Sequence, residues 1–401
     1  MDFMLPTTAD NGARLAAILP SGIAAVARGL ASPPPDELAF ADSDSLPKLR
    51  SFVMIVVDGL GSANLSARAG HAPALSRLPR KRIETVAPST TGAALTTLLT
   101  GRLPGSHGLI GYRIRHPELG LVTTLRDWDG IGDHRSWQRA TPLLTRVSSI
   151  GARAVAIGRP AHAAGGLTEA ILAGAEYLGG QRIEDRFALA SRVVREPTPA
   201  VVYLYIDELD KAGHEHGWQS EHWVRRLEQF DASLEGFLRG LPGGVGVVVT
   251  ADHGMVDVAP HQRVLLESHT GLLDDVAEIG GEPRLRSLYL REGADATAVA
   301  AAWERAEGAR AWVGTREAAL ARGTFGRVRP EVAERLGEVL IAARKQVAYF
   351  TNAEDSRVLE MVGQHGSFTD EERGVPLVLG GALDGSSFAA AVQAAAQRIP
   401  E

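Results

Sequence analysis

The sequence predicts an α/β protein with one doubly wound, mostly parallel central sheet and helices on both faces. Three observations predict this fold. Short apolar runs rich in β-branched residues indicate buried strands, and they lie at 51–57, 152–157, 201–206 and 245–249. Helical patterns separate several of these runs, as in a parallel sheet. Acidic residues follow three of the runs, at the strand ends where open α/β sheets bind ligands.

The length and composition indicate an ordinary globular protein. The chain has 401 residues, of which 45% are hydrophobic and 22% charged. We predict a single catalytic domain over 1–401, with an inserted subdomain at about 266–345, where the sequence becomes Arg-rich and irregular. A formal net charge of -6 argues against a nucleic acid polymer as partner.

The N-terminal region carries an apolar stretch but no targeting pattern. Leu15 to Val26 is interrupted by Pro20, and it lacks a charged leader and a cleavage site. No run reaches the roughly 20 apolar residues that cross a bilayer. We therefore expect a cytoplasmic protein without a membrane span.

The remaining elements follow from the local pattern. Residues 31–48 are rich in Pro, Asp and Ser and predict a loop. Further strands are predicted at 81–86, 287–290, 346–351 and 375–379, and helices at 93–99, 167–175, 186–195 and 296–307. We assign 346–351 and 375–379 to the central sheet.

Acids and histidines gather at the predicted strand ends. Parallel strands bring their carboxyl ends to one edge of the sheet, so these side chains are expected to lie together: Asp58, Asp207, Asp210, His214, Asp252, His253 and His365. Carboxylates this close repel one another unless a cation lies between them. Since the chain has no Cys, His, Asp and Glu must hold any metal, which favours Zn²⁺, with Mn²⁺ or Fe as alternatives.

Each strand-end residue also has a structural interpretation. A single Asp at this position is often a helix cap or a turn residue, and Asp252-His253-Gly254 has the composition of a tight turn. The cap or turn interpretation has to account for all the strand ends together and for two Asp/His pairings, one adjacent and one four residues apart. The metal hypothesis accounts for them with one feature.

Thr91 is the candidate nucleophile. It lies where a loop meets a predicted helix, and the free N–H groups of a helix N-terminus favour phosphate and an alkoxide. Gly92 allows close approach to the backbone. The alternative is that Ser89, Thr90 or Thr91 only caps the helix.

Five ordered motifs give the chain a resemblance to a known family. DGLG, PSTTGAALTTLLTG, DELDKAGHEHG, TADHGM and GQHG, between about Val53 and Leu379, resemble the type I phosphodiesterases and nucleotide pyrophosphatases of the alkaline phosphatase superfamily. The resemblance implies an alkaline phosphatase-like fold, two divalent metal ions and a small phosphorylated substrate. It further implies one ion held by Asp58, Thr91, Asp252 and His253, and another held by Asp210, His214 and His365.

The chain departs from this family where the substrate binds. Family members commonly place a Phe after the nucleophile and a Tyr before the aspartate motif, with the nucleobase stacked between them, and the corresponding residues here are Gly92 and Tyr205. An Asn that often faces a phosphoryl oxygen corresponds to Tyr112. We expect these three residues to contact the substrate, and Asp207 and His216 to support the metal ligands.

The predicted function is hydrolysis of phosphodiesters or nucleotide-type pyrophosphates through a phosphothreonine intermediate. The alternative is a phosphomonoesterase or phosphonate hydrolase with the same metals. A monoester carries one more negative charge, for which Arg113 and Arg115 are the candidate partners. A third hypothesis is a metal-stabilised binding protein without turnover.

Overall fold

The computed structural model describes residues 5–6 and 10–400 and contains 17 named strands in that part of the chain. Their bounds are β1 (Ser51–Val57), β2 (Arg80–Glu84), β3 (Arg113–His116), β4 (Gly120–Thr123), β5 (Arg153–Gly158), β6 (Glu176–Gly179), β7 (Ala200–Ile206), β8 (Val245–Thr250), β9 (Val256–Asp257), β10 (Arg263–Leu265), β11 (Val276–Glu282), β12 (Leu285–Leu290), β13 (Ala311–Thr315), β14 (Val339–Ala343), β15 (Ala348–Phe350), β16 (Gly363–Gln364) and β17 (Gly374–Gly381).

The α-helices lie between these strands and at both ends of the described chain. Their bounds are α1 (Ala13–Gly29), α2 (Ser62–Ala67), α3 (Pro73–Arg77), α4 (Thr91–Thr100), α5 (Pro104–His107), α6 (His134–Trp137), α7 (Gly166–Ile171), α8 (Ile183–Arg195), α9 (Glu208–His216), α10 (Glu221–Arg239), α11 (Ala296–Glu307), α12 (Arg316–Ala321), α13 (Pro330–Ala333), α14 (Ser356–Glu360), α15 (Asp370–Arg373) and α16 (Phe388–Ala396).

The central sheet has seven strands in the order β2-β17-β8-β1-β7-β5-β6. The five strands from β8 to β6 run parallel to their neighbours. Every residue of β1 and β8 is buried, although successive side chains point to opposite faces, so both faces of the sheet must be covered. One group of helices joins α1, α4 and α16, and another joins α10 with α3, α8 and α9. The predicted fold class is confirmed.

One strand of the central sheet, β17, runs in the opposite direction to the other six. β17 runs antiparallel to β8 and to β2. Only eight residues lie between His365 and Gly374, too few for the dozen or more that a parallel crossover needs. His365 lies at the carboxyl edge of the parallel strands, so the chain must return through the sheet in the opposite direction.

A second sheet has the order β11-β12-β14-β13 and lies over 276–343. Its strands are antiparallel to their neighbours, and it shares a separate apolar cluster with α11 that includes Trp303 and Tyr349. The predicted strand at 287–290 and helix at 296–307 are present as β12 and α11. The assignment of 266–345 as an inserted subdomain stays a prediction.

The prediction that 346–351 joins the central sheet is wrong. β15 pairs with β10 in a separate two-stranded sheet. Ala348, Tyr349 and Phe350 are buried, as the apolar pattern indicates, but burial alone does not specify which sheet a strand joins.

The apolar N-terminal stretch is folded as α1, with Pro20 inside the helix and every residue from 15 to 27 buried. Among the described residues, no helix is both long and apolar enough to cross a membrane. The cytoplasmic location stays a prediction.

Candidate metal centre

The parallel strands deliver the predicted acids to one edge of the central sheet. Asp58 follows β1, Asp252 and His253 follow β8, and Asp207 lies between β7 and α9. Asp210 and His214 lie one turn apart on α9, so both side chains project from the same face of that helix. Local sequence places each residue, and the parallel topology brings them together.

A first group forms around His253. Its Nε2 lies 3.3 Å from Asp58 Oδ1, 3.4 Å from Asp252 Oδ2 and 3.1 Å from Thr91 Oγ1. Asp58, His253 and Asp210 bring their donor atoms within 4.8 Å of one another. The other three members of the predicted first ligand set, Asp58, Thr91 and Asp252, therefore all lie close to His253 Nε2. Asp210 lies beside this group.

A second group joins Asp210, His214 and His365, whose donor atoms also lie within 4.8 Å of one another. His214 Nε2 lies 3.3 Å and His365 Nε2 3.9 Å from Asp210 Oδ1. The His253 and His365 rings stack with their centroids 3.5 Å apart. Asp210 belongs to both groups, so the two groups are adjacent.

Hydrogen bonds at Nδ1 leave the Nε2 atoms of two imidazole rings free to bind a cation. His214 Nδ1 lies 2.7 Å from the Gly363 carbonyl, and His365 Nδ1 lies 2.9 Å from the Ser89 carbonyl. A carbonyl only accepts, so each Nδ1 carries the proton and each Nε2 keeps its lone pair. Burial lowers the pKa of both rings, which favours the neutral form that binds metals.

The carboxylates of Asp58, Asp210 and Asp252 lie close together and are largely buried, so their negative charges need a positive counter-charge. Burial raises the pKa of Asp210 and Asp252 well above the usual range, and the charge of Asp58 raises both further. Burial lowers the pKa of His253, but the charges of Asp252 and Asp58 outweigh it and raise the pKa to about 10. Without a metal ion, an imidazolium at His253 is the favoured counter-charge.

Unsatisfied oxygens indicate where cations fit. Asp58 Oδ1, Asp210 Oδ1 and Asp252 Oδ2 are buried and make no hydrogen bond. Buried carboxylate oxygens need a donor or a cation. Three such oxygens beside three imidazole nitrogens form a donor set suited to Zn²⁺, so the residues fit the metal ions that the sequence predicts.

Thr91 begins α4, and its hydroxyl faces the first group. No side-chain hydrogen bond caps this helix, whose N-cap residue is Thr90, and the Ser89 hydroxyl donates to the Ser367 carbonyl. Thr91 Oγ1 contacts His253 instead. The contacts therefore do not support the capping alternative for Ser89, Thr90 or Thr91.

The residues predicted to bind substrate have different surroundings. A Cβ atom on Gly92 would lie 2.6 Å from Thr124 Oγ1. Thr124 therefore occupies the space that a side chain at position 92 would need. The Thr124 amide donates to the Tyr112 carbonyl, and Arg126 donates to the Tyr112 hydroxyl. The Tyr205 hydroxyl donates to Asp58 Oδ2, so Tyr205 contacts a predicted metal ligand.

The two candidate phosphate arginines differ. Arg115 is bound to Glu278 at 2.6 Å and covers the Tyr289 ring, so its guanidinium already has partners. Arg113 is exposed. Neither arginine has a contact with a predicted metal ligand in the described structure.

The two residues expected to support the ligands make their own contacts with side chains that are not predicted ligands. Asp207 accepts hydrogen bonds from Arg159 and Lys211. His216 stacks on His222 with centroids 4.0 Å apart and lines a cavity of about 460 Å³ on the side of α9 away from Asp210 and His214. That cavity contains none of the predicted ligands.

Sequence reasoning missed Glu282, the last residue of β11. Its carboxylate is buried and lies 3.9 Å from His365 Nδ1, and burial raises its pKa to about 8. Gly280-Gly281-Glu282 carries no strand-end pattern that would separate Glu282 from other acids of the region. Its approach to the site is a product of tertiary structure.

Comparison with known proteins shows that the sequence matches the model of a protein family. A family model described as Type I phosphodiesterase / nucleotide pyrophosphatase matches residues 52–368. Ectonucleotide pyrophosphatase/phosphodiesterase family member 1 of Rattus norvegicus is 24% identical over 270 residues, covering 63% of this chain and 29% of that protein. Venom phosphodiesterase 2 of Crotalus adamanteus is 24% identical over 221 residues, 52% of this chain and 26% of that protein. The match thus spans under a third of these relatives.

Two solved structures show the same fold. Murine ectonucleotide pyrophosphatase / phosphodiesterase 5 has a TM-score of 0.65 at 19% identity, covering 82% of this chain and 87% of that chain. Phosphonoacetate hydrolase from Sinorhizobium meliloti 1021, solved with phosphonoformate, has a TM-score of 0.65 at 21% identity, covering 87% and 97%.

Proposed function

The chain belongs to the type I phosphodiesterase / nucleotide pyrophosphatase family, and from this premise we propose that it is a metal-dependent hydrolase of phosphodiesters or nucleotide-type pyrophosphates. The observation that carries the proposal is the position of Thr91. Its hydroxyl lies 3.1 Å from His253 Nε2 at the N-terminus of α4, beside the carboxylates of Asp58 and Asp252. A hydroxyl in this setting is placed for nucleophilic attack on phosphorus.

Two divalent ions would be held by the two groups of donors. Asp58, Asp252, His253 and Thr91 would hold one, and Asp210, His214 and His365 the other. Bound Zn²⁺ would lower the pKa of a hydroxyl or water and stabilise charge on phosphoryl oxygens. Mn²⁺ and Fe are the alternatives for the same donors.

Thr91 would carry the covalent step. Its oxygen forms a bond to phosphorus while the bond from phosphorus to the leaving oxygen breaks, which gives a phosphothreonine. Water then hydrolyses that ester and restores the hydroxyl. The free N–H groups at the start of α4 favour the charge that develops on the phosphoryl group.

The names of the relatives support diesters and pyrophosphates as substrates. The rat and snake proteins are a nucleotide pyrophosphatase/phosphodiesterase and a venom phosphodiesterase, and an inactive variant of the murine structure contains AMP. The chain is thus proposed to take a small phosphorylated substrate. Tyr112, Tyr205 and Gly92 are the proposed substrate contacts, although the Tyr205 hydroxyl is bonded to Asp58.

A second candidate function is hydrolysis of a phosphonate or a phosphomonoester. Phosphonoacetate hydrolase matches over 97% of its own chain, and Thr124 occupies the space beside Gly92 where a base-stacking side chain would lie. Arg126, bonded to Tyr112, would supply a positive charge for an extra negative group.

Turnover of matched substrates by the purified, zinc-loaded protein tests both functions. We expect an aryl phosphodiester to be hydrolysed faster than the matching monoester and phosphonoacetate. Thr91→Ala should lose turnover on the order of 10³-fold or more, because the nucleophile is gone, while metal content measured by atomic absorption stays near wild type.

Thr91→Ser is the matched control, since it keeps the hydroxyl and should keep part of the activity. Wild-type turnover by Thr91→Ala would contradict the assignment of the nucleophile. A reversed substrate order would favour the second function. Metal binding without any turnover of the wild type would favour a binding protein.

A further inference from the structure

The turn between β11 and β12 of the second sheet lies beside the candidate metal centre. Glu282 ends β11, and the chain reverses through Pro283 and Arg284 before β12 begins. The Glu282 carboxylate lies against the loop that carries His365: Oε2 is 3.9 Å from His365 Nδ1. A Cβ atom on Gly366 would lie 2.6 Å from Glu282 Oε1, so the carboxylate packs directly on that loop.

A buried ion pair fixes this turn to the same loop. Arg284 and Glu372 have no exposed side-chain surface. Arg284 donates to both carboxylate oxygens of Glu372, at 3.0 and 2.6 Å. Glu372 also accepts from the Ser367 amide and the Thr369 hydroxyl. Since Ser367 is two residues from His365, the turn and the ligand loop are held in one arrangement.

The same contacts reach the nucleophile segment. His365 Nδ1 donates to the Ser89 carbonyl at 2.9 Å, and the Gly366 amide donates to the Ser89 hydroxyl at 3.1 Å. Ser89 lies two residues before Thr91. The position of Glu282 is therefore defined relative to both His365 and the start of α4.

Burial raises the pKa of Glu282 to about 8, and the charges of His253 and Arg286 offset this only in part. Within the described chain its ion-pair partner is His365, whose Nδ1 already donates to Ser89. Arg286, two residues after Arg284, is committed to the Tyr349 carbonyl and to Glu354. A buried carboxylate without a cationic partner destabilises the fold. A metal ion bound nearby would offset that cost.

We propose that Glu282 is a positioning residue that strengthens metal binding through His365. A carboxylate beside the proton-bearing nitrogen of a ligating imidazole holds the ring and increases its basicity. The Ser89 carbonyl is the closer acceptor. Bound Zn²⁺ would favour the ionised form of Glu282, so in the metal-loaded protein Glu282 would act chiefly by its negative charge. This inference rests on the proposed function, and it assigns the second sheet a part in the metal centre.

Zinc affinity of Glu282→Gln tests the proposal. We expect one of two Zn²⁺ ions to bind about 10- to 100-fold more weakly than in the wild type, measured by competition with a chelator of known affinity. Glu278→Gln is the matched control: it lies on the same strand, and its partner is Arg115 at the surface. Zinc binding by that variant should be unchanged, and Glu282→Asp should recover part of the affinity.

The melting temperature of the metal-free protein separates this role from a structural one. Without metal, the buried Glu282 carboxyl must take up a proton on folding, and Glu282→Gln removes this cost. The metal-free variant should therefore melt at or above the wild-type temperature. Unchanged zinc affinity in Glu282→Gln would overturn the proposal, whether or not the metal-free variant melts lower. A wild type that binds no Zn²⁺ would overturn the proposed function as well, so the two failures are distinguishable.

Discussion

At the scale of single residues, the candidate site is centred on His253, whose Nε2 atom lies close to three other side chains. His253 Nε2 lies within 3.4 Å of Asp58, Asp252 and Thr91. In the metal-free protein the acids raise the pKa of this imidazole to about 10, so a proton there offsets their charge. A metal ion bound by His253 must displace that proton, and metal binding should therefore weaken as the pH falls.

Gly92 shows how a neighbouring residue restricts the substrate site. A methyl group at 92 would lie 2.6 Å from Thr124 Oγ1, and such overpacking costs about 1–3 kcal/mol. The gain in helix propensity from Gly to Ala is at most about 1 kcal/mol. We therefore expect Gly92→Ala to lower the free energy of unfolding, measured by urea denaturation.

The double variant Gly92→Ala/Thr124→Ala should recover part of this loss, with a coupling energy of about 0.5–3 kcal/mol between the two sites. Gly70→Ala is the control, because no atom lies within 4 Å of a Cβ built there. Additive effects at 92 and 124 would show that Thr124 does not close this space.

At the scale of elements, the turn between β7 and α9 determines where Asp210 and His214 lie. Asp207 at this turn is buried and accepts from Arg159 and Lys211, while Arg186 bridges to Glu208. These contacts tie α9 to the loop after β5 and to α8. The helix that carries two predicted ligands is thus held by ion pairs on the side away from them.

Asp207→Asn should destabilise the protein in a pH-dependent way. Burial raises the pKa of Asp207, but hydrogen bonds from Lys211 and Arg159 outweigh it and lower the pKa to about 2, against 3.8 ordinarily. A lowered folded-state pKa stabilises the fold above pH 3.8 and ceases to do so as the pH falls through about 2. The pH-dependent contribution is about 2 kcal/mol.

We therefore expect the gap in unfolding free energy between wild type and Asp207→Asn to narrow by about that amount from pH 5 to pH 2, measured by urea denaturation at each pH. Asp44→Asn is the control, because Asp44 pairs with Arg28 at the exposed surface. A gap independent of pH would show that the ion pairs do not lower the pKa of Asp207.

At the scale of the whole molecule, the candidate metal centre lies at the edge of a framework built on apolar burial. The central sheet is buried by helices, and its strands carry an apolar core of which β1 and β8 are fully buried. The second sheet approaches from one side and contributes Glu282 and Arg284. Hydrophobic burial stabilises the fold, and metal ions at the candidate site would add to that stability by binding the folded state.

Removal of metal should lower the melting temperature without unfolding the protein at 25 °C. Each ion at 100 times its dissociation constant stabilises the folded state by about 2.7 kcal/mol. Differential scanning calorimetry before and after a chelator, with circular dichroism at 25 °C, measures both effects. Added Zn²⁺ should restore the melting temperature, and Mg²⁺ should restore less because it prefers oxygen ligands.

Loss of the circular dichroism signal at 25 °C after chelation would contradict a framework that folds without metal. An unchanged melting temperature would contradict metal binding at the site.

The sequence by itself determined the parallel strands β1, β5, β7 and β8, the family, and the acidic and histidine residues that lie together at their ends. β1 lies at the predicted residues, and β5, β7 and β8 agree within one residue at each end, because a strand buried on both faces must be apolar throughout. The parallel arrangement then brings Asp58, Asp252 and His253 to one edge. These features depend on local pattern and on one rule of topology.

Tertiary structure alone decided the pairing of β15 with β10, the contact of Thr124 with Gly92, and the approach of Glu282 to His365. Each depends on where two distant segments pack, and burial or charge in a sequence does not specify the partner. The antiparallel direction of β17 follows from the short connection after His365, a constraint that appears only once His365 is placed at the sheet edge.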